Sequence, residues 1–245
     1  VAARPPGAAL QSEYGGARRR TSSPPPRDDE VAKQAPVALF SGTLAERAAK
    51  AAFDSGLVDM VVVSSDDAEI LKHANSIGNV VAHKRNELAA NDTATAGDVI
   101  RDLFDSDRED TFISEDNAPW FVYLQPTSPL RTGKHILEAF EALVEHPESE
   151  AIVSVAPLEP KVFWTMKIGE KGVLEPLFPE AVSANRQSFD EVYRPNGAIY
   201  IFSYEEFKKT GKFPIMGALP YVMSVDESVD IDTAADFEQA KALLR

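Results

Sequence analysis

Two carboxylates near the C-terminus have the spacing of a cation site. Asp230 and Asp232 lie at positions i and i+2 of the segment 229–233 (V-D-I-D-T). In an extended segment, both side chains point to the same side of the backbone. Mg²⁺ in proteins is usually held by one or two carboxylates, with water and substrate phosphates completing its coordination. The alternative is that Asp232 only caps the following helix and Asp230 faces solvent, since aspartate is a common N-cap residue.

A second group of polar residues follows an apolar run in the middle of the chain. Residues 120–124 (W-F-V-Y-L) predict a strand that is buried on both faces. In an open α/β sheet, ligands bind beyond the carboxyl ends of the strands. The side chains that would lie there are Gln125, Thr127, Ser128 and Arg131. Taken alone, the segment is more simply an ordinary strand–turn–helix connection with polar turn residues.

Cationic and amide side chains at three further places are candidates for ligand binding. Arg85 lies in a loop, Arg186 and Gln187 are adjacent, and Asn196 belongs to the segment 193–197 (Y-R-P-N-G). Arginine binds carboxylates through paired hydrogen bonds, and Asn-Gly sets a tight turn. The simpler interpretation of these positions is a surface ion pair or an ordinary turn. The four histidines do not have the spacing of zinc ligands.

The elements that must position these residues alternate along the chain. Helices are predicted over residues 44–53, 67–77, 92–103, 132–144 and 233–244, and strands over 60–63, 80–81, 120–124, 151–155 and 221–225. The predicted N-caps are Asp66 or Asp67, Asp92 and Thr132. This alternation implies parallel strands joined by right-handed crossovers. From Pro157 onward, short strands over 162–168, 172–173 and 193–202 indicate an antiparallel extension.

Composition limits the class of protein. A length of 245 residues with 44% hydrophobic residues suits one α/β domain, which we place at 35–245 with an extension over about 157–200. Residues 1–34 are rich in Pro, Gly, Arg and Ser, and are interpreted as a disordered or mis-assigned leader. The net charge of −14 argues against a nucleic-acid surface, and no apolar run has membrane-spanning length. The absence of cysteine excludes disulfides and thiolate metal sites.

Six segments, taken together, resemble the CMP-sialic acid synthetase (acylneuraminate cytidylyltransferase) family. They occur in the order of the family and at about its spacing, from roughly Lys33 to the C-terminus. The third and fifth segments are specific as a pair. The six are residues 61–67 (V-V-V-S-S-D-D), 85–95 (R-N-E-L-A-A-N-D-T-A-T), 124–133 (L-Q-P-T-S-P-L-R-T-G), 186–187 (R-Q), 193–200 (Y-R-P-N-G-A-I-Y) and 228–233 (S-V-D-I-D-T).

The resemblance implies an α/β protein with a Rossmann-like nucleotide-diphospho-sugar transferase fold. Its sheet would be mostly parallel, with helices on both faces and a small dimerisation extension. The reaction would join CTP to a sialic-acid-type nine-carbon 2-keto acid, giving a CMP-sugar and pyrophosphate, with Mg²⁺ as cofactor. The protein would be a cytoplasmic homodimer with no nucleic-acid or membrane partner. Because Trp164 stands where some sialic-acid members carry lysine, pseudaminic and legionaminic acid are alternatives for the sugar. A further alternative is a related transferase that uses another nucleotide or the eight-carbon acid Kdo.

The resemblance also assigns roles to individual residues. Asp230 and Asp232 would be catalytic, because they would hold Mg²⁺ against the triphosphate. Arg85 and Gln125 would bind the nucleotide. The residues near the sugar would be Arg186, Gln187 and Asn196.

The start of the chain departs from the family pattern. The family opens with a strand and a phosphate-cradling loop of the form A-R-x-x-S-K-G-x-P-x-K-N, whereas here A-A-R at 2–4 is followed by P-P-G. Arg4 and Lys33 are the nucleotide-binding candidates in this region. Because such a loop supplies backbone donors and a lysine to phosphates, the alternative function is a catalytically impaired homologue. That homologue would keep the dimer and bind nucleotide or a partner.

Overall fold

A computed structural model describes residues 44–58, 60–91, 93–106 and 120–244. The predicted leader over 1–34, with Arg4 and Lys33, lies outside these residues, and so does the predicted cap Asp92. Within the described ranges, every helix is too short or too polar to cross a membrane. The cytoplasmic location stays a prediction.

Short β-branched and aromatic runs form the strands, as their composition predicts. The eight labelled strands are β1 (Val61–Ser65), β2 (Val80–Lys84), β3 (Trp120–Tyr123), β4 (Ala151–Leu158), β5 (Met166–Ile168), β6 (Leu174–Pro176), β7 (Val192–Ser203) and β8 (Leu219–Val222). The helices are α1 (Ala45–Asp54), α2 (Ala68–Ala74), α3 (Ala96–Ser106), α4 (Gly133–Val144), α5 (Tyr204–Thr210) and α6 (Ala234–Leu243). The helix α5 is absent from the sequence prediction, and the last predicted strand (221–225) begins and ends earlier, as β8.

The strands pair in three groups within the described residues. β1 and β2 are parallel, β3-β7-β4-β8 form a four-stranded sheet, and β5 and β6 form a hairpin. β7 is antiparallel to both β3 and β4, whereas β4 and β8 are parallel, so three strands of the larger sheet run in one direction. The sequence places 193–202 in a peripheral extension, but only its first residues are exposed and the rest of β7 is buried between β3 and β4.

Helices cover both faces of the sheet, which confirms the predicted α/β class. Side chains alternate between faces along a strand. On β1, Val61 and Val63 pack with α1 and α4, whereas Val62 packs with α3 and α5. β3 divides in the same way, with Val122 on the first side and Phe121 on the second. Each layer therefore buries its own apolar cluster.

The N-termini of two helices agree with the sequence prediction, and those of two other helices differ from it. Asp67 caps α2 and Thr132 caps α4, both as predicted. α3 begins at Ala96 because the Asp98 carboxylate accepts hydrogen bonds from the backbone and hydroxyl of Thr95 (2.9 and 2.7 Å). α6 is capped by Thr233, which exchanges hydrogen bonds with Asp236. The interpretation of Asp232 as that cap is therefore wrong.

The extension consists of short elements with an aromatic cluster of their own. The strand predicted over 162–168 is a 3₁₀ helix (Pro160–Trp164) followed by β5, because Pro160 fixes the first turn. The ring of Phe189 lies 4.7 Å from that of Phe163 and 5.6 Å from that of Trp164, measured between centroids. This aromatic cluster stabilises the base of the β5–β6 hairpin, where there is no large apolar core among the described residues.

Candidate active site

The carboxylate segment lies beside the turn that follows β3. The backbone N–H of Ile231 donates to the carbonyl of Thr127 at 2.9 Å. Ile231 stands between the two predicted metal-binding aspartates, and Thr127 belongs to the polar turn after the central strand. This one hydrogen bond brings two motifs together that are about a hundred residues apart in the sequence.

The two aspartates differ in their surroundings. Asp230 is partly buried, and its Oδ1 atom is buried without a hydrogen-bond partner in the described structure. Asp232 is exposed, and none of the described residues donates a hydrogen bond to its carboxylate. A buried carboxylate oxygen without a partner is costly, because it has lost water and gained nothing in exchange. Asp230 therefore has a carboxylate oxygen that is suited to contact a bound ligand.

Two tyrosines connect this carboxylate to the predicted nucleotide residues. Burial raises the pKa of Tyr123, while the charge of Arg85 and a hydrogen bond with Gln125 act in the opposite direction. Burial also raises the pKa of Tyr200 to about 12, and the charges of Tyr123 and Asp230 add to this effect. The two rings are 5.9 Å apart. The charges of Arg85 and Asp230 and a hydrogen bond of Gln125 thus act on one pair of phenols.

Gly197 allows the Gln125 side chain to lie against the neighbouring strand. Its φ of +77° is in the left-handed region, and a Cβ there would overlap with the Gln125 side-chain oxygen. The backbone N–H of Gln125 also donates to the carbonyl of Gly197 (3.3 Å). The glycine of R-P-N-G is therefore required by a close approach at the site.

Arg131, which the sequence places at the ligand end of the central strand, is buried and holds the same turn through backbone carbonyls. It is 5% exposed, and its Nη1 donates to the carbonyls of Gln125 (3.0 Å) and Ala198 (2.8 Å). Burial lowers its pKa to about 9, because no carboxylate in the described structure pairs with it. Such a buried cation adds positive charge beneath the site and fixes the residue that follows β3.

Asn196 lies in the core, although the resemblance places it near the sugar. Its Oδ1 accepts from Ser154 (2.6 Å), and its Nδ2 donates to Ser228 (2.8 Å). The side chain is 4% exposed, so internal hydrogen bonds use its amide. In this geometry Asn196 acts on the carboxylate segment through Ser228, which lies at the start of that segment.

The other two predicted sugar-binding residues lie elsewhere. Arg186 and Gln187 form a short 3₁₀ helix (Arg186–Ser188) in the extension. Gln187 is exposed, and no hydrogen bond joins it to Arg85, Gln125 or Asp230. Their sugar-binding role stays a prediction.

The donor set at 230–232 suits a hard divalent cation. Two carboxylates supply oxygen ligands, one of them with a buried oxygen that lacks a partner. Among the described residues, no group of three or more acidic or histidine side chains is arranged to hold a metal ion. A cation there would need water and substrate oxygens to complete its shell, which is the usual situation of Mg²⁺.

Comparison with protein families agrees with these motifs. A family model described as cytidylyltransferase matches residues 37–243. An N-acylneuraminate cytidylyltransferase of Streptococcus agalactiae is 34% identical over 191 residues, which are 76% of this chain and 43% of that protein. A CMP-N,N'-diacetyllegionaminic acid synthase of Legionella pneumophila is 30% identical, over 79% of this chain and 82% of that one. The chain spans less than half the length of the first of these relatives.

Solved structures support the same fold. A CMP:2-keto-3-deoxy-manno-octonic acid synthetase complexed with CTP matches with a TM-score of 0.59 at 12% identity, covering 85% of this chain and 98% of that chain. A 4-diphosphocytidyl-2C-methyl-D-erythritol synthase matches with a TM-score of 0.56 at 14% identity, with the same coverage. At these identities the likeness shows a shared fold, the Rossmann-like nucleotide transferase sheet.

Proposed function

This chain belongs to the cytidylyltransferase family that includes the CMP-sialic acid synthetases, and from that premise we propose that it transfers CMP from CTP to a sialic-acid-type 2-keto acid. The observation that carries the proposal is the hydrogen bond from the Ile231 N–H to the Thr127 carbonyl. It sets the paired aspartates beside the polar turn at the end of β3, where an α/β sheet binds its ligand.

In the proposed reaction, the anomeric hydroxyl of the sugar attacks the α-phosphorus of CTP. The new bond joins that oxygen to phosphorus, the hydroxyl proton is lost to solvent, the bond from the α-phosphorus to the bridging oxygen breaks, and pyrophosphate leaves. Asp230 and Asp232 would hold Mg²⁺, which when bound neutralises charge on the triphosphate and the departing pyrophosphate. Arg85 and Gln125 would orient the nucleotide, and the protein's main contribution is positioning and charge stabilisation.

We also propose that the protein is a homodimer that associates through the extension. In the single chain, large apolar side chains of this region are exposed: Ile168 (77%), Leu174 (71%), Val173 (55%) and Leu177 (50%). Clustered exposed apolar residues usually mark a contact surface. Arg186 and Gln187 lie in the same extension, and we keep them as candidates for contacts with the sugar.

The direct test measures pyrophosphate release from CTP with and without Mg²⁺ and an acidic sugar. We expect release only when both are present, and a comparison of N-acetylneuraminic, legionaminic and Kdo acids identifies the acceptor. Asp230→Asn and Asp232→Asn should each lower kcat by about a hundredfold or more, since each removes a charged ligand. Asp226→Asn changes an exposed aspartate nearby and should leave the rate unchanged.

Two results would contradict the proposal. If Asp232→Asn released pyrophosphate as fast as the parent, the assignment of Asp232 as an Mg²⁺ ligand would be wrong. No release with any of the three sugars, together with measurable CTP binding in a calorimeter, would indicate the impaired homologue instead.

A further inference from the structure

A buried polar network beneath the loop that carries Arg85 has no part in the assignments above. It is centred on His83, at the end of β2, whose side chain is 11% exposed. We propose that His83 is a positioning residue for nucleotide binding, which holds the Arg85 guanidinium in place through the Ser64 hydroxyl. The inference rests on the proposed function, because it concerns the residue that we expect to contact CTP.

The first arm of the network runs from His83 to the Arg85 guanidinium. Arg85 Nε donates to the Ser64 hydroxyl at 3.1 Å, and its Nη2 donates to the Ser64 carbonyl at 2.8 Å. His83 Nδ1 lies 3.0 Å from the same hydroxyl. Ser64 is completely buried on β1, so the sheet fixes its backbone while His83 Nδ1 orients its hydroxyl. The arginine is thereby held on two sides by one residue that His83 contacts.

The donors and acceptors of this arm form one consistent chain. The Ser64 hydroxyl accepts from Arg85 Nε, so its own hydrogen is free to point at His83 Nδ1, which then acts as an acceptor. Nε2 of the imidazole carries the hydrogen in that tautomer and lies 2.9 Å from the Ser106 hydroxyl. Ser106 in turn donates to the Leu103 carbonyl at 2.9 Å. The His83 imidazole thus links the Arg85 guanidinium, through Ser64, to Ser106 at the end of α3.

The residue after Arg85 is held separately, from α3. Asp102, which is 7% exposed, has its Oδ2 atom 3.8 Å from His83 Nε2, which is too long for a hydrogen bond. The Asp102 carboxylate accepts from the backbone N–H of Asn86 (3.0 Å) and from its side-chain amide. Asn86 Oδ1 then accepts from the backbone N–H groups of Leu88 (2.8 Å) and Ala89 (2.9 Å). Asp102 therefore fixes Asn86 directly, whereas His83 acts on Arg85 through Ser64.

This arrangement explains how a loop side chain can be preorganised. A long arginine on a surface loop loses much rotamer freedom when it binds a ligand, and that loss weakens binding. Hydrogen bonds that fix the guanidinium before CTP arrives remove part of this cost. Among the described contacts, His83 acts on Arg85 through Ser64, so its effect should appear in nucleotide affinity and KM rather than in the chemical step.

The test compares CTP binding by the 245-residue chain and by three variants in a calorimeter, and it also measures thermal unfolding of each. We expect His83→Phe to weaken the Kd for CTP by about tenfold, the worth of one to two net hydrogen bonds. His83→Asn offers an amide oxygen in place of Nδ1 and should recover most of the affinity. His146→Phe alters an exposed histidine at the end of α4 and should bind CTP as the parent does.

A double-mutant cycle separates positioning from general stability. In an Arg85→Met background, His83→Phe should cause no further loss of CTP affinity, because its effect passes through the arginine. In the assay for pyrophosphate release, KM for CTP should rise while kcat changes little. A parent that binds CTP and a His83→Phe variant that binds equally well would overturn this inference alone. If His83→Phe lowered CTP affinity by the same factor in the parent and in the Arg85→Met background, the inference would also be wrong. A parent that does not bind CTP would overturn both the inference and the proposed function.

Discussion

Asn196 determines the position of the carboxylate segment through hydrogen bonds that use its whole side-chain amide. Ser154 lies at a register shift between β4 and β7, where the regular ladder is interrupted. Its hydroxyl accepts from the Ile199 N–H (2.7 Å) and lies within hydrogen-bond distance of Asn196 Oδ1. Through Ser228 the same amide reaches the residue that precedes 229–232. One buried side chain therefore joins two strands to the proposed metal ligands.

Removal of this amide should destabilise the fold and loosen the site together. We expect Asn196→Ala to lower the free energy of unfolding by about 2–4 kcal/mol, because it removes buried hydrogen bonds to Ser154, Ser228 and the Ala198 N–H. The measurement is urea unfolding followed by circular dichroism. Asn185→Ala alters an exposed asparagine and should change stability by less than about 0.5 kcal/mol. Equal stability of the two variants would show that the Asn196 hydrogen bonds contribute nothing net.

Residue identities at the site were visible in the sequence, but their surroundings were not. The spacing of Asp230 and Asp232 predicts a shared ligand, and the polar turn after β3 predicts where it would bind; both stay predictions. The burial of Asn196 and Arg131 depends on long-range packing of β7, which no local pattern reveals. Tyr123 and Tyr200 were read as strand residues, because a buried aromatic has the same sequence signature with or without a role in binding.

At the scale of elements, the turn after β3 is held in place by the packing of α4 on α1. Gly133 is the first residue of α4, and a Cβ there would lie 2.5 Å from the carbonyl carbon of Asp54 and 2.6 Å from the Ser55 nitrogen. These atoms belong to the backbone at the end of α1, so they cannot rotate away. The glycine thus permits the close contact that sets where α4 begins, two residues after Arg131.

Gly133→Ala should therefore be destabilising although alanine favours helix formation. We expect a loss of about 1–3 kcal/mol, typical of overpacking against fixed atoms. The matched control is Gly78→Ala, since nothing lies within 4 Å of a Cβ at that position. Thermal or urea unfolding of the two variants measures the difference. A Gly133→Ala variant as stable as Gly78→Ala would mean that α1 and α4 separate at little cost.

Element types were more predictable than their pairing. Asp67 and Thr132 were found as caps because a short polar residue directly precedes an apolar-periodic run. The start of α3 was missed because Asn91 forms a turn with Thr93 (2.8 Å) that competes with an earlier helix start. The direction and central position of β7 follow from its pairing with β3 and β4, two strands that are far from β7 in the sequence.

At the scale of the whole molecule, the extension is the region that a single chain leaves least covered. Its hairpin of β5 and β6 presents apolar side chains on strands that pair only with each other in the described residues. An isolated two-stranded hairpin is marginally stable in water, so this one gains most from a further surface to pack against. A second copy of the chain would provide that surface and would account for the exposed Ile168 and Leu174.

Charge placed on this hairpin should dissociate the proposed dimer. We expect the parent to sediment as a dimer at micromolar concentration, and Leu174→Lys or Ile168→Lys to shift it to a monomer, because burying an unpaired ammonium group is costly. Analytical ultracentrifugation measures the mass directly. Leu88→Lys introduces the same charge at a leucine that is 79% exposed outside the extension, and it should leave the dimer intact. If Leu88→Lys dissociated the protein while Leu174→Lys did not, the contact would lie on the nucleotide-loop side of the molecule. A parent that is monomeric at these concentrations would remove the dimer altogether, and the hairpin would then have to be stabilised by its aromatic base around Phe163 alone.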